Sequence, residues 1–188
     1  MDLRQIKTER NIQQAFIQLL AQSDFEKITV ADIGQAAQIS RSTFYDHYAD
    51  KYELLDKMIA HYTDYLFEIS QHRVDALLAR DRQAFEQSIV EIADQLLAQR
   101  ETLSVLMTTD VAGLSLSQNW KQALQTHWHQ IIQEQGLTSQ TPESYVSETC
   151  TDLVVNFAKW TLENGKNQAT ITQLRKLLGS MFDQLINE

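Results

Sequence analysis

The stretch ITVADIGQAAQISRSTFYDHYADKYELL, residues 28–55, changes character along its length. It starts with apolar residues at helical spacing and continues into a run of short hydroxyl and cationic side chains, residues 40–43. Two tyrosines then flank Asp46 and His47, and the stretch becomes apolar again. The residues that can cap helices indicate where the helices of this stretch begin.

Three helix starts are indicated by side chains that cap helices. Thr29 stands three residues before Asp32, so its hydroxyl can accept from the Asp32 amide while the carboxylate favours the positive end of the helix. Ser40 repeats this cap, and Asp50 followed by Glu53 forms a capping-box pattern. The pattern predicts short, sharply turned helices over residues 29–36 and 40–46, and a third helix that starts at Asp50.

An amphipathic helix precedes this stretch. Ile12, Phe16, Leu19 and Leu20 follow i, i+4, i+7, i+8 spacing, which predicts a helix over residues 4–22. The two short helices that follow, joined by a tight turn, describe a helix-turn-helix whose second helix enters the major groove of DNA.

The second short helix carries the side chains predicted to contact DNA. Its first residues are short or able to hydrogen-bond to base edges and phosphates, and Arg41 is the one able to make a bidentate contact with guanine. Tyr45 and His47 offer polar tips to phosphate oxygens. The Lys51 ammonium lies beside the first backbone amides of the next helix. The predicted contacts are Ser40, Arg41, Ser42, Thr43, Tyr45, His47 and Lys51.

This part of the chain resembles the N-terminal signature of the tetracycline-repressor (TetR) family of bacterial transcription regulators. The resemblance covers roughly residues 5–58 and includes AFIQLL at 15–20 and DFEKITV at 24–30. It implies a three-helix DNA-binding domain, residues 1–51, on a helical effector-binding and dimerisation domain, residues 52–188. It also implies a ligand-responsive repressor that binds a palindromic DNA operator as a homodimer.

Position by position, the resemblance implies that Thr29 and Lys51 contact phosphates. It implies that residues 40–43 face bases, with the later aromatic residues of that helix along the DNA backbone. The chain departs from the family pattern at Gln38, where members commonly have Gly. A left-handed turn conformation costs Gln more than Gly.

Composition points to an all-α protein. Apolar residues are 43% and charged residues 22%, as in ordinary globular proteins, while five Gly and one Pro leave few residues for hairpins. A single cysteine, Cys150, fits a reducing compartment. With no signal peptide and no apolar run of ~18 residues, we expect a cytoplasmic protein without a membrane partner.

The formal net charge of −9 argues weakly against a general nucleic-acid binder, because phosphates attract clustered Lys and Arg. The charge is unevenly distributed. Residues 1–51 hold six Lys/Arg against seven Asp/Glu, whereas residues 52–188 hold ten against eighteen. The acidity therefore lies mostly outside the predicted DNA-binding domain.

Apolar stripes predict further helices in the second part of the chain. A long fourth helix runs on from Leu55, and Gly136, Thr141-Pro142 and Asn164-Gly165 supply stop and start signals. The later predicted helices are 84–98, 116–134, 143–164 and 170–186. The last two are apolar over more than one face, so we expect them to form the homodimer interface as a four-helix bundle.

Large aromatic residues of the second part are the candidate lining of an effector site for an apolar or aromatic small molecule. The candidates are Tyr62, Tyr65, Trp120, Trp128 and Trp160, with His127 or Asn156 as polar handles. The alternative is that these aromatic residues belong to the core, and periodicity does not separate the two.

No catalytic, metal or cofactor site is predicted. His127 and His129 lie two residues apart, ~200° around a helix, so they do not share one ion. No catalytic triad, phosphate-binding loop or Cys/His ligand spacing occurs. The chain is therefore not expected to be an enzyme. The alternative to a DNA-binding regulator is a helical adaptor acting through protein contacts, for which residues 41–47 would be an ordinary solvated face.

Overall fold

The computed structural model describes residues 3–135 and 142–186. The helices are α1 (Leu3–Leu20), α2 (Val30–Ala36), α3 (Arg41–Tyr45), α4 (Lys51–Leu78), α5 (Arg82–Ala98), α6 (Arg100–Leu106), α7 (Leu116–Gln135), α8 (Glu143–Asn164) and α9 (Gln168–Ile186). A 3-10 turn, Phe25–Lys27, and an antiparallel pair, β1 (Asp110–Val111) and β2 (Leu114–Ser115), complete the described elements. The all-α class is confirmed. Within the described ranges, no helix is long and apolar enough to cross a membrane.

The helix starts that the capping residues predict are confirmed. Thr29 Oγ1 accepts from the Asp32 amide at 3.2 Å, and the Asp32 carboxylate accepts from the Thr29 amide at 2.9 Å. Hydrogen bonds from Thr29 hold the pKa of the Asp32 carboxyl below its ordinary value. Asp50 Oδ1 accepts from the Tyr52 and Glu53 amides, both at 2.8 Å. The first helices of the chain therefore start where their caps place them.

The later boundaries agree with the sequence in part. α8 ends at Asn164, and Gly165 follows with φ 77°, as the Asn-Gly signal predicts. The Thr141-Pro142 signal predicts Pro142 as the first helical residue, but Pro142, with φ −53° and ψ 129°, is the N-cap of α8, which begins at Glu143. The predicted stop at Gly136 and cap at Thr141 lie outside the described residues.

The turn between α2 and α3 is left-handed at Gln38, with φ 57°. The turn is tight because the Ile39 amide donates to the Gly34 carbonyl at 2.9 Å. A Cβ at position 34 would lie 3.2 Å from the Ile39 carbonyl oxygen, so glycine permits this close approach. The turn that the family resemblance implies is thus formed with glutamine in the strained position.

Gln38→Gly is expected to stabilise the protein by about 1 kcal/mol, because glycine adopts positive φ without the steric cost that a side chain brings. The matched control is Gln35→Gly, an exposed position inside α2, which is expected to destabilise by a similar amount. Urea unfolding measures both. Destabilisation by Gln38→Gly would contradict the strain at this turn.

The chain divides into two compact units. The first, termed the N-terminal unit, comprises Met1–Tyr62 and Glu101–Leu116. Its buried side chains include Phe16 from α1, Ile33 from α2 and Phe44 from α3. These apolar residues fix the three helices of the helix-turn-helix against one another.

The second unit, termed the bundle unit, comprises Thr63–Arg100 and Ser117–Glu188. A hydrophobic cluster joins α5, α8 and α9 with the ends of α4 and α7. Its buried members are Val74, Ala76, Phe85, Ile89, Ala93, Trp128, Ile131, Phe157, Ile171, Leu174 and Leu178. The Arg100 guanidinium contacts the end of α8, where it donates to the Leu162 and Glu163 carbonyls, each at 2.7 Å.

Candidate nucleic-acid interface

The first turn of α3 presents its polar side chains to solvent. Ser40 Oγ accepts from the Thr43 amide at 3.0 Å and lies 2.7 Å from Ser42 Oγ and 2.9 Å from Thr43 Oγ1. Ser40 and Ser42 are exposed, and Thr43 is half-buried. Three of the predicted base-contacting residues therefore form one hydroxyl cluster at the start of the helix.

Arg41 lies next to this hydroxyl cluster and is exposed. Its charge helps to lower the pKa of the Asp32 carboxyl, after the larger effect of the Thr29 hydrogen bonds, so the guanidinium lies near the start of α2. It makes no hydrogen bond to any residue that the structure describes. All five donors of Arg41 are thus available to another molecule.

α3 is held rigidly from its other side. Phe44 is fully buried, with its ring centroid 5.7 Å from that of Tyr45 and 5.8 Å from that of Tyr48. The buried Tyr48 hydroxyl donates to Glu9 and accepts from Gln13, both at 3.2 Å, which connects the end of α3 to α1. Burial raises the pKa of Tyr48 to about 12. The orientation of α3 is therefore fixed by core contacts.

The two remaining predicted contacts on this segment differ in exposure. Tyr45 is 56% exposed beside the buried Phe44, so its phenol points away from the core. His47 is half-buried, and its backbone carbonyl accepts from Lys57 at 3.4 Å. Both stay predicted DNA contacts, with Tyr45 the more accessible.

Lys51 lies in an environment that the sequence did not predict. Its ammonium donates to the carbonyls of Phe25 at 2.8 Å, Ile28 at 2.9 Å and Glu26 at 3.3 Å. It also lies 4.4 Å from the centre of the Phe25 ring. Lys51 therefore joins the start of α4 to the 3-10 turn that precedes α2. Its contact with a phosphate stays a prediction.

Thr29, the other residue predicted to contact phosphate, is exposed directly after this turn. Its hydroxyl donates to Asp32 Oδ2 at 2.6 Å while accepting from the Asp32 amide. The backbone position of Thr29 is thus set from one side by its capping box and from the other by the carbonyls that Lys51 binds.

The five aromatic residues predicted to line an effector site have different environments. Tyr62, in the N-terminal unit, is half-buried, and Tyr65 of the bundle unit donates its hydroxyl to the Gln95 carbonyl at 2.9 Å. Trp120 is fully buried and Trp128 belongs to the bundle cluster, whereas Trp160 is 36% exposed. The role of all five in an effector site stays a prediction.

Two residues that matter in the structure did not stand out in the sequence analysis. Tyr48 anchors α3 through partners more than thirty residues away, which no local pattern indicates. Arg73 is buried in α4. A signal for Arg73 exists, because it stands seven residues after Leu66 and four after Ile69 and so lies on their apolar stripe.

Metal chemistry finds no support in the described ranges, where no three His, Cys, Asp or Glu side chains come close enough to hold an ion. The single cysteine, Cys150, is buried, and burial raises the pKa of its thiol to about 11. A thiol in this state is a poor nucleophile at neutral pH.

Comparisons with known proteins agree with this geometry. Residues 12–58 match the family described as bacterial regulatory proteins, tetR family. The HTH-type transcriptional regulator YxbF of Bacillus subtilis is 47% identical over 60 residues, which span 31% of this chain and 16% of that relative.

Solved structures are similar over the whole chain. NalD of Pseudomonas aeruginosa, the secondary repressor of the MexAB-OprM multidrug efflux pump, has a TM-score of 0.72 at 19% identity, with 100% of both chains covered. A TetR transcriptional regulator from Streptococcus agalactiae has a TM-score of 0.63 at 25% identity, with 95% of each chain covered. The match to the tetR family of bacterial regulatory proteins therefore covers residues 12–58, and the helix-turn-helix formed by α2 and α3 lies within it.

Proposed function

We propose that the protein is a cytoplasmic, ligand-responsive transcriptional repressor that binds a palindromic operator as a homodimer. Residues 1–51 form its DNA-binding domain, and residues 52–188 form its effector-binding and dimerisation domain. The observation that carries the proposal is the exposed, capped start of α3, which presents the uncommitted Arg41 guanidinium while Phe44 and Tyr48 fix the helix from behind.

The geometry of α3 suits end-on entry into the major groove. The helix is five residues long, so only its first turn reaches base edges, and the side chains there are short hydroxyls and one arginine. Arginine reads guanine through a bidentate contact with O6 and N7. We expect Thr29 and Tyr45, which are both exposed, to contact phosphates, which position the helix without reading sequence.

An adaptor that acts through protein contacts is the alternative function. The acidic residues 52–188, with ten Lys/Arg against eighteen Asp/Glu, suit an adaptor better than a DNA-binding surface. The N-terminal 51 residues are close to neutral, however, and an adaptor has no need of an exposed arginine among hydroxyls at a helix start. We therefore favour the DNA-binding function.

Exposed apolar side chains on the last two helices support the homodimer. Tyr145 and Trp160 of α8 are 64% and 36% exposed, and Leu177 of α9 is 45% exposed. Leu178, on the predicted interface helix, instead belongs to the bundle cluster of the protomer and is 4% exposed. Gly179 approaches Arg82, since a Cβ there would lie 3.0 Å from the guanidinium. The exposed residues are thus the better probes of dimerisation.

Effector control requires unequal affinity for two conformations of the dimer. A ligand that binds the DNA-free form ~100-fold better weakens operator binding by ~2.7 kcal/mol, whereas a ligand that binds both forms equally changes nothing. Tight binding alone is therefore insufficient evidence for an effector. Release of operator DNA is the measurement that identifies one.

Arg41→Ala is expected to cost about 1–3 kcal/mol of operator affinity and to relax specificity at one base pair, because a bidentate guanine contact is lost. An operator selected from a random duplex library, titrated by fluorescence anisotropy, measures the affinity. The matched control is Arg80→Ala, which removes an exposed cation from the bundle unit. Equal affinity and base preference for wild type and Arg41→Ala would refute this role.

A further inference from the structure

The bundle unit contains a buried arginine, Arg73 of α4, which is 3% exposed. Within the described residues it makes no hydrogen bond and has no carboxylate within ion-pair distance. A buried guanidinium without a counter-ion is unfavourable by several kcal/mol. Buried charges in proteins are paired as a rule, so this guanidinium calls for a negative partner.

Burial lowers the pKa of Arg73 to about 10, an effect that the nearby Cys150 sulfur partly offsets. The guanidinium therefore remains protonated at neutral pH. The buried cluster that contains Val74 of α4 and Phe157 of α8 places this part of α4 near α8. The charge is thus held between two helices of the bundle unit.

Other polar atoms of the same three helices also lack partners. Thr151 Oγ1, next to Cys150 on α8, and Trp120 Nε1 on α7 are buried and have no hydrogen-bond partner in the part of the chain that the structure describes. Most buried polar atoms in native proteins have a partner. The Lys121–Asp152 ion pair places Trp120 and Thr151 at one level of the α7–α8 pair, because each is the chain neighbour of one partner.

α4 and α7 are also neighbours, as α4 and α8 and α7 and α8 are. The Phe67 ring of α4 meets the His127 ring of α7 edge-on, with centroids 4.8 Å apart. α4, α7 and α8 are therefore mutual neighbours within the bundle unit. Arg73, Thr151 and Trp120 supply a cation, a hydroxyl and an indole N–H to this group of helices, which also buries polar side chains such as Ser70 and Ser147 beside its apolar residues.

We propose that Arg73 anchors a binding site for an apolar organic carboxylate between α4, α7 and α8. A carboxylate supplies two acceptors for the guanidinium fork and the missing negative charge. Thr151 and Trp120 add a hydroxyl and an N–H donor, while the surrounding side chains favour an apolar body. The inference names the ligand class of the proposed repressor, and it rests on that function only for the consequence of binding.

Binding is tested on the full chain by isothermal titration calorimetry without DNA. The probes are three acid–amide pairs: benzoate and benzamide, 1-naphthoate and 1-naphthamide, octanoate and octanamide. Each pair differs in charge at nearly constant shape. We expect wild type to bind at least one acid ~10-fold or more tightly than its amide. In Arg73→Met this preference is expected to fall to within about twofold, and in Arg80→Met, which removes an exposed arginine of the same unit, it is expected to persist.

The proposal is overturned if wild type prefers no acid over its amide in the three pairs, or if the preference survives in Arg73→Met. If Arg73→Met does not fold, as judged by circular dichroism, Thr151→Val decides. A loss of ~3-fold or more in acid affinity supports the site, and unchanged affinity overturns it.

Operator release is measured separately, by adding the preferred acid to the protein–DNA complex. Release in wild type and none in Arg73→Met supports the carboxylate as effector. If the acid binds but operator DNA is not released, the Arg73 site is supported and the role of the acid as effector is overturned. Failure of the protein to bind DNA would overturn the proposed function without affecting the calorimetric result.

Discussion

A glutamate at Leu177 is expected to convert the protein from dimers to monomers and to lower operator affinity by ~100-fold or more, about 2.7 kcal/mol. Leu177 is 45% exposed in the protomer, so the change costs little within one chain. At a two-fold interface the same change buries two carboxylates in apolar surroundings. Because each half-site contributes binding energy, a monomer loses most of the operator affinity.

Sedimentation measures the oligomeric state, and fluorescence anisotropy measures operator binding. Trp160→Glu tests the predicted contribution of α8 independently, since that side chain is also exposed. The matched control is Thr172→Glu, which adds the same charge at an exposed position roughly 140° around α9 from Leu177. A wild-type protein that sediments as a monomer at micromolar concentration would contradict the dimer, as would Leu177→Glu behaving like Thr172→Glu.

The helix-turn-helix was predictable because its determinants are local. The caps at Thr29 and Ser40 act on amides three residues away, and these spacings are visible in the sequence. The turn at Gln38 was predictable from the family pattern alone, since the residue itself disfavours the left-handed conformation.

Elements held by tertiary contacts were missed. α6 is only seven residues long and shows too few apolar repeats to be recognised. The β1–β2 hairpin turns at Ala112-Gly113, both with positive φ, and alanine gives no turn signal there. The partners of Tyr48 on α1 lie 35 and 39 residues away. Such contacts follow from packing and not from any window of sequence.

The aromatic residues show a different limit of sequence reasoning. Helical periodicity places Trp120 and Trp128 on the apolar stripe of α7 and Trp160 on that of α8. Their exposed fractions nevertheless differ. Trp120 and Trp128 are buried, whereas Trp160 is exposed. The charged Arg73 of α4, 3% exposed, is more deeply buried than Trp128, 7% exposed. Side-chain type alone therefore does not predict which of these residues are buried, and their role in an effector site stays a prediction.

The position of Lys51 in its helix was predicted from the sequence, whereas its hydrogen bonds to distant carbonyls were not. Its place in the first turn of α4 was predicted, and the capping Asp50 confirms it. Its three carbonyl partners lie 23 to 26 residues earlier in the chain. The ammonium therefore holds the segment between α1 and α2 against the start of α4. This contact also helps to fix the backbone before Thr29.

Lys51→Met is expected to destabilise the protein by about 2 kcal/mol, because three carbonyls lose a charged donor while the apolar stem is kept. The matched control is Lys57→Met on the same helix. Lys57 makes an exposed ion pair with Glu53 at 2.8 Å and a long hydrogen bond to the His47 carbonyl at 3.4 Å, so its loss is expected to cost at most about 1 kcal/mol. Urea unfolding of both variants measures the difference.

Operator affinity of Lys51→Met is expected to fall similarly for all sequences, because the 3-10 turn and Thr29 lose their support while the base-contacting residues of α3 are unchanged. A salt titration separates this from a direct phosphate contact, whose loss would flatten the salt slope by ~1. If Lys51→Met unfolds at the same urea concentration as Lys57→Met, the anchoring role is wrong. A flattened salt slope of operator affinity with unchanged stability would show that Lys51 contacts DNA and does not anchor the 3-10 turn. Lower stability with an unchanged salt slope would show that Lys51 anchors the turn and does not contact a phosphate.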